Sequence, residues 1–110
     1  MTSIINLTPH AITFVVGGNM IIFEPSGVVA RVSSKTETVG SKEFNGISIP
    51  VTTTVFGEVE NLPKPKENTV FIVSSLVAGH VPDRQDVFIP NQSIRDDKGR
   101  IIGCLSLGKI

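Results

Sequence analysis

A mainly β protein, a small single-domain barrel or two-layer sandwich with one short helix, is what this sequence predicts, and three observations carry the prediction. The apolar residues are largely Val, Ile and Phe in short runs, which suit a pleated, half-buried surface. Gly, Pro and Asn separate those runs, as turn residues separate strands. At 110 residues, 40% of them hydrophobic, the chain can bury the core of one domain without staples.

The elements follow in order. "AITFVV" and "MIIFEP" flank Gly17, Gly18 and Asn19, a trio that tolerates positive φ, so residues 11–24 form a hairpin. Ser26 and Gly27 turn the chain into a third strand, "GVVARVSS". "KTETVGSKEFNG" is polar and reads as an exposed loop or ragged edge. "ISIPVTTTVFGEV" is the next strand, with Pro50 marking an edge or a strand start, because proline cannot donate to a ladder. "ENLPKPKEN" is a solvated connector. In "TVFIVSSLVAGH" a continuous apolar run suits a strand buried on both faces, and a serine then caps one or two helical turns that end at Gly79. "VFIPNQSIR" and "RIIGCLSLG", joined by "DDKG", close the chain as a second hairpin. The six phenylalanines, Phe14, Phe23, Phe44, Phe56, Phe71 and Phe88, are assigned to the core.

Composition excludes several functions. Ten Lys plus Arg balance ten Asp plus Glu, so no net field draws in a polyanion, and there is no Trp or Tyr on which single-stranded nucleic acid could stack. The expected partner is therefore not a nucleic acid. The apolar runs are too short to span a bilayer as helices, and the start "MTSIINLTPH" lacks the basic and apolar regions of a signal peptide. The lone Cys104 has no internal disulfide partner. A cytoplasmic protein without membrane contact is expected.

Chemistry-bearing residues concentrate in two places. In "NLTPH" the simpler reading is a stiff turn, with Pro9 fixing φ and Asn6 or Thr8 bonding local backbone. Functionally, His10 could donate to a phosphate or pair with an acid. In "HVPDRQD", His80, Asp83 and Asp86 offer three metal ligands, but Pro82 interrupts the helix their spacing would need, so a metal centre ranks below an Asp/Arg network. Arg84 can clamp a carboxylate or phosphate bidentately, with Asp83 and Asp86 holding it or accepting hydroxyls. Arg95 and Arg100 flank the DDKG turn and could welcome an anion, although solvated strand ends are the plainer reading. Cys104 lies in an apolar strand and reads as inert core. No phosphate loop, dinucleotide glycine motif or nucleophile elbow occurs.

The segments "IINLTPHAI", "FGEVENLP" and "VSSLVAGHVPDRQDVFIPNQSIRDDKGRIIGCLSLG" together resemble a family of small proteins from bacteriophages, prophages and some bacteria. The resemblance covers most of the chain outside residues 34–46. It implies a phage-encoded protein of the bacterial cytoplasm, and by analogy of setting an anti-defence protein that sequesters a nucleotide-derived immune messenger. The expectation is a non-enzymatic homo-oligomer, needing no cofactor, that binds a small nucleotide-like ligand. His10, Arg84 and Arg95 would meet phosphate, and Asp83, Asp86 and Asn91 the ribose or base. The alternatives are an enzyme that cleaves such a messenger, and a protein-interaction module that inhibits a host protein or serves phage assembly.

Overall fold

The structure is a computed structural model and describes residues 2–110. Its strands are β1 (Ser3–Asn6), β2 (Ile12–Val16), β3 (Asn19–Phe23), β4 (Arg31–Phe44), β5 (Ile47–Glu60), β6 (Thr69–Ile72), β7 (Val87–Arg95) and β8 (Ile101–Gly108), with one helix, α1 (Ser75–Gly79). Six strands form a curled, half-barrel sheet in the order β1-β6-β7-β8-β2-β3, and β4 with β5 form a separate two-stranded ribbon. The mainly β class with one short helix is thus as expected.

The sheet is mixed. β1, β6 and β7 run parallel, β8 returns antiparallel to β7, β2 lies parallel to β8, and β3 pairs antiparallel with β2. β6 is the central case of a strand covered on both faces: Phe71, with Val73 just past the strand end, belongs to one cluster and Ile72 to another, all fully buried. The larger cluster packs Leu7, Ala30, Val32, Phe71, Val73, Val77, Ala78 and Val87 beneath α1. The smaller one sets Phe14, Ile72 and Cys104 within the curl, with Ile4, Ile12 and Phe23 around them. Ser74 caps α1, its side chain accepting from the Val77 N–H.

β1 and β3 are opposite edges of the sheet, and its curl brings them into contact. The edges meet at Asn6, which is 2% exposed and donates from Nδ2 to Phe23 O at 3.0 Å. The Asn6 side chain bridges the seam together with one backbone bond just beyond β3, from the Ser26 N–H to Asn6 O at 3.0 Å, with no ladder between the two edges.

Three expectations are corrected. The polar stretch "KTETVGSKEFNG" is not a loop: it forms most of β4, paired with β5 from Arg31↔Glu60 to Phe44↔Ile47. The two-residue turn Asn45-Gly46, with φ of 51° and 80°, supplies the twist that an antiparallel ribbon needs. The third strand also starts later than expected, at Arg31, since residues 28–30 are held outside any strand, Ala30 N–H bonding to Leu7 O. The third correction concerns the phenylalanines. Phe44 and Phe56 lie on this ribbon and are 66% and 45% exposed, and Phe88 is half-buried beside Lys109, so these three belong to neither core cluster.

Candidate ligand-binding site

The NLTPH segment is organised by Asn6. Its Nδ2 also donates to His10 O at 2.8 Å, and its Oδ1 accepts from the Thr8 N–H at 2.9 Å and from the Thr8 hydroxyl at 2.7 Å. Three of the four polar bonds of this buried side chain therefore shape the turn while the fourth reaches Phe23 O across the seam, and His10 is left exposed.

The "PDRQD" loop is fastened in the same way. Arg84 Nε and Nη2 donate to the two carboxylate oxygens of Asp86 at 2.8 and 2.9 Å, and Nη2 also donates to Pro63 O at 3.0 Å. The loop is thereby tied to the connector that precedes β6. The bidentate geometry, on side chains only 22% and 17% exposed, draws the Asp86 carboxyl below its ordinary pKa through the Arg84 hydrogen bond and holds Arg84 firmly protonated. These contacts engage Nε and Nη2. Lys109 Nζ donates to the Arg84 backbone oxygen and lies 5.7 Å from the centre of the Phe88 ring. Asp83 is exposed in the same loop.

Arg95 and Arg100 shape the last hairpin. Arg95 Nη1 donates to Gly99 O at 2.7 Å, and Arg100 Nε to Asp96 Oδ2 at 3.0 Å, while the Asp96 Oδ1 caps the N–H groups of Lys98 and Arg100. Those bonds, the Arg100 N–H first, lower the Asp96 pKa. His80 ends α1: its Nδ1 lies 2.9 Å from Leu76 O, and its ring meets Phe56 edge-on at 5.4 Å.

Of the six residues expected at a binding site, the structure joins Arg84 to Asp86 and places Asp83 beside them. His10, Asn91 and Arg95 stand on the β1–β2 connection, in mid β7 and at the end of β7. A cavity of about 380 Å³ lies between β2, β7 and β8 at the start of α1, lined by Ala11, Ile12, Thr13, Ser75, Ile89, Pro90, Ser93 and residues 101–104. None of the six lines it, although His10 and Asn91 each adjoin a lining residue in the chain, Ala11 and Pro90. The wall residues Thr13, Ser75 and Ser93 escaped the sequence reading because hydroxyls inside β-rich runs carry no motif. Cys104 closes one side of the cavity. It is 3% exposed, its Sγ donates to Thr13 O at 3.4 Å, and burial pushes its pKa up, so the thiol stays protonated at neutral pH.

Among the described residues no group of three or more His, Cys, Asp and Glu could hold a metal ion, and no helix is long and apolar enough to cross a membrane. Comparison with family models, with curated proteins and with solved structures finds no match.

Proposed function

We propose that this is a non-enzymatic binding protein that holds a small nucleotide-like ligand in the cavity between β2, β7 and β8. In the phage setting implied by its motif segments, it would sequester a nucleotide-derived host immune messenger in the bacterial cytoplasm. The carrying observation is the cavity itself. Its volume of about 380 Å³ falls in the range of small-ligand sites, and its wall combines apolar Ile12, Ile89, Pro90, Ile101 and Ile102 with Thr13, Ser75 and Ser93. Apolar surface suits a base, and side-chain hydroxyls suit a ribose. With no Lys, Arg or His in the wall, a phosphate belongs at the rim, toward His10. The protonated Cys104 thiol favours holding a ligand over nucleophilic attack on it.

Calorimetry against cyclic dinucleotides and cyclic ADP-ribose isomers tests the reading. At least one ligand should bind tighter than millimolar, Ser93→Phe should abolish that binding by filling the cavity, and the ligand should be recovered intact after heat denaturation. Absence of binding across the panel overturns the nucleotide assignment, and a cleaved product would move the assignment to an enzyme.

A further inference from the structure

The β4–β5 ribbon carries a second site, independent of the cavity. Its strands are 14 residues each, roughly 46 Å at the usual rise, and the molecule is 61 Å along its longest axis. Only the base meets the core, through Val32 and Val59. A lone two-stranded ribbon is marginal in water, so one this long needs a covering for whichever face is apolar.

Register identifies that face. Cross-strand partners share a side, so Phe44 lies with Ile47, Lys42 with Ile49, Gly40 with Val51, Glu37 with Thr53 and Lys35 with Val55, five rungs in succession. A bulge between Thr38 and Gly40 shifts β4 by one residue and keeps all five on one side. The Lys35–Glu37 ion pair at 3.3 Å agrees with that placement. The opposite side presents Ser34, Thr36, Thr38, Ser41, Glu43, Ser48, Thr52 and Thr54, with Pro50 and the exposed Phe56 its apolar members, and is polar for most of its length. Phe44, Ile47, Ile49, Val51 and Val55 are all exposed, by between 39% and 66%.

We infer that this face binds a second copy of the chain, the two ribbons crossing antiparallel about a two-fold axis at Val51. The rungs are self-complementary about that point. Val51 meets Val51 beside the bare Gly40; the Lys42/Ile49 rung meets Glu37/Thr53; and the Phe44/Ile47 rung covers Val55 and the aliphatic stem of Lys35. Each Lys42 thus faces a Glu37 of the other copy, twice by symmetry. The exposures of the five apolar residues leave roughly 500 Å² per copy, so pairing that covered all of it would remove roughly 1,000 Å² from water, the lower threshold for a specific interface. A chain with equal numbers of acidic and basic residues adds no net repulsion.

The test is the mass of the intact chain by sedimentation between about 1 and 100 μM, a range that brackets moderate dimer affinities. Twice the monomer mass of 11.8 kDa is expected. Val51→Asp should give monomer throughout, with unchanged circular dichroism. Glu37→Lys and Lys42→Glu should each weaken association at least tenfold, and the double variant should recover most of it, because the pair is restored with its sign reversed. Val51→Cys should form a disulfide-linked dimer on oxidation, since Cys104 is buried and does not compete. A monomer at 100 μM overturns the inference. So does a dimer that ignores Val51→Asp, which would place the contact on another surface or in another geometry.

Discussion

At the scale of single residues, the polar side chains that stand out in the sequence are mostly fasteners. Arg84 is held by two bonds to Asp86 and one to Pro63 O, and Arg95, Asp96 and Arg100 shape the turn they flank. That a neighbouring Asp holds Arg84 was legible, but the choice of Asp86 over Asp83 was not, because it is set by the course of the loop and not by proximity in sequence. The cavity wall was not, since Thr13, Ser75 and Ser93 look like ordinary strand and cap residues until the sheet curls. The Arg84–Asp86 pair has a consequence for acid stability. The folded-state pKa of Asp86 lies below its unfolded value of about 3.9, so the native state binds its proton less readily than the unfolded chain. Its stabilisation is present above the unfolded value and is lost as pH falls through that value and toward the folded one. Urea titrations of the wild type and of Asp86→Asn should therefore differ by a constant amount from neutral pH to about pH 5, and the gap should shrink below about pH 4. A gap that widened in acid would mean that Asp86 is not ionised in its pair.

At the scale of elements, the two short hairpins, the connector and the capped helix were legible because each is bounded by turn chemistry within a few residues. The long ribbon was not. Its β4 half, rich in Lys, Thr, Ser and Glu, reads as solvated loop because a ribbon outside the core has no buried face to impress an apolar alternation upon that strand. The Phe-Asn-Gly-Ile sequence at its tip did carry the turn, and the apolar alternation survived on the other strand as Ile47, Ile49 and Val51. Pro50 fits because each strand of a two-stranded ribbon has a free edge. Gly46 sits at a φ of 80°, where a side chain is strained, so Gly46→Ala should weaken the ribbon by about 1 kcal/mol. Because the ribbon tip belongs to neither core cluster, the loss should be local: hydrogen exchange should speed up at β4 and β5 amides near the tip and stay unchanged in β6. Equal acceleration in both would show that ribbon and sheet unfold together.

At the scale of the whole molecule, the dimensions divide the protein into a curled sheet and a projecting ribbon. A compact chain of this length has a radius of gyration near 13 Å, whereas this one has 18.2 Å. The sheet half is closed at its seam by Asn6, and the inside of the curl contains Cys104, a buried thiol whose reaction with a disulfide reagent requires opening. Asn6→Ala removes both Nδ2 donors and the Oδ1 acceptor and leaves the Phe23 and His10 carbonyls and the Thr8 N–H without that partner. The expected loss is about 3 kcal/mol, which corresponds to roughly 100-fold faster labelling of Cys104 where opening is in rapid equilibrium. Asn6→Asp should be worse than alanine, since it turns a carboxylate toward two carbonyl oxygens in a buried position. Comparing labelling with urea denaturation locates the effect. If the seam is part of the cooperative fold, both measurements lose the same free energy; if only the edges part, labelling accelerates while the urea midpoint holds. The shared packing of Ile4 from β1, Phe23 from β3 and Ile72 from β6 around one cluster favours the cooperative outcome, because parting the seam exposes all three strands to water at once.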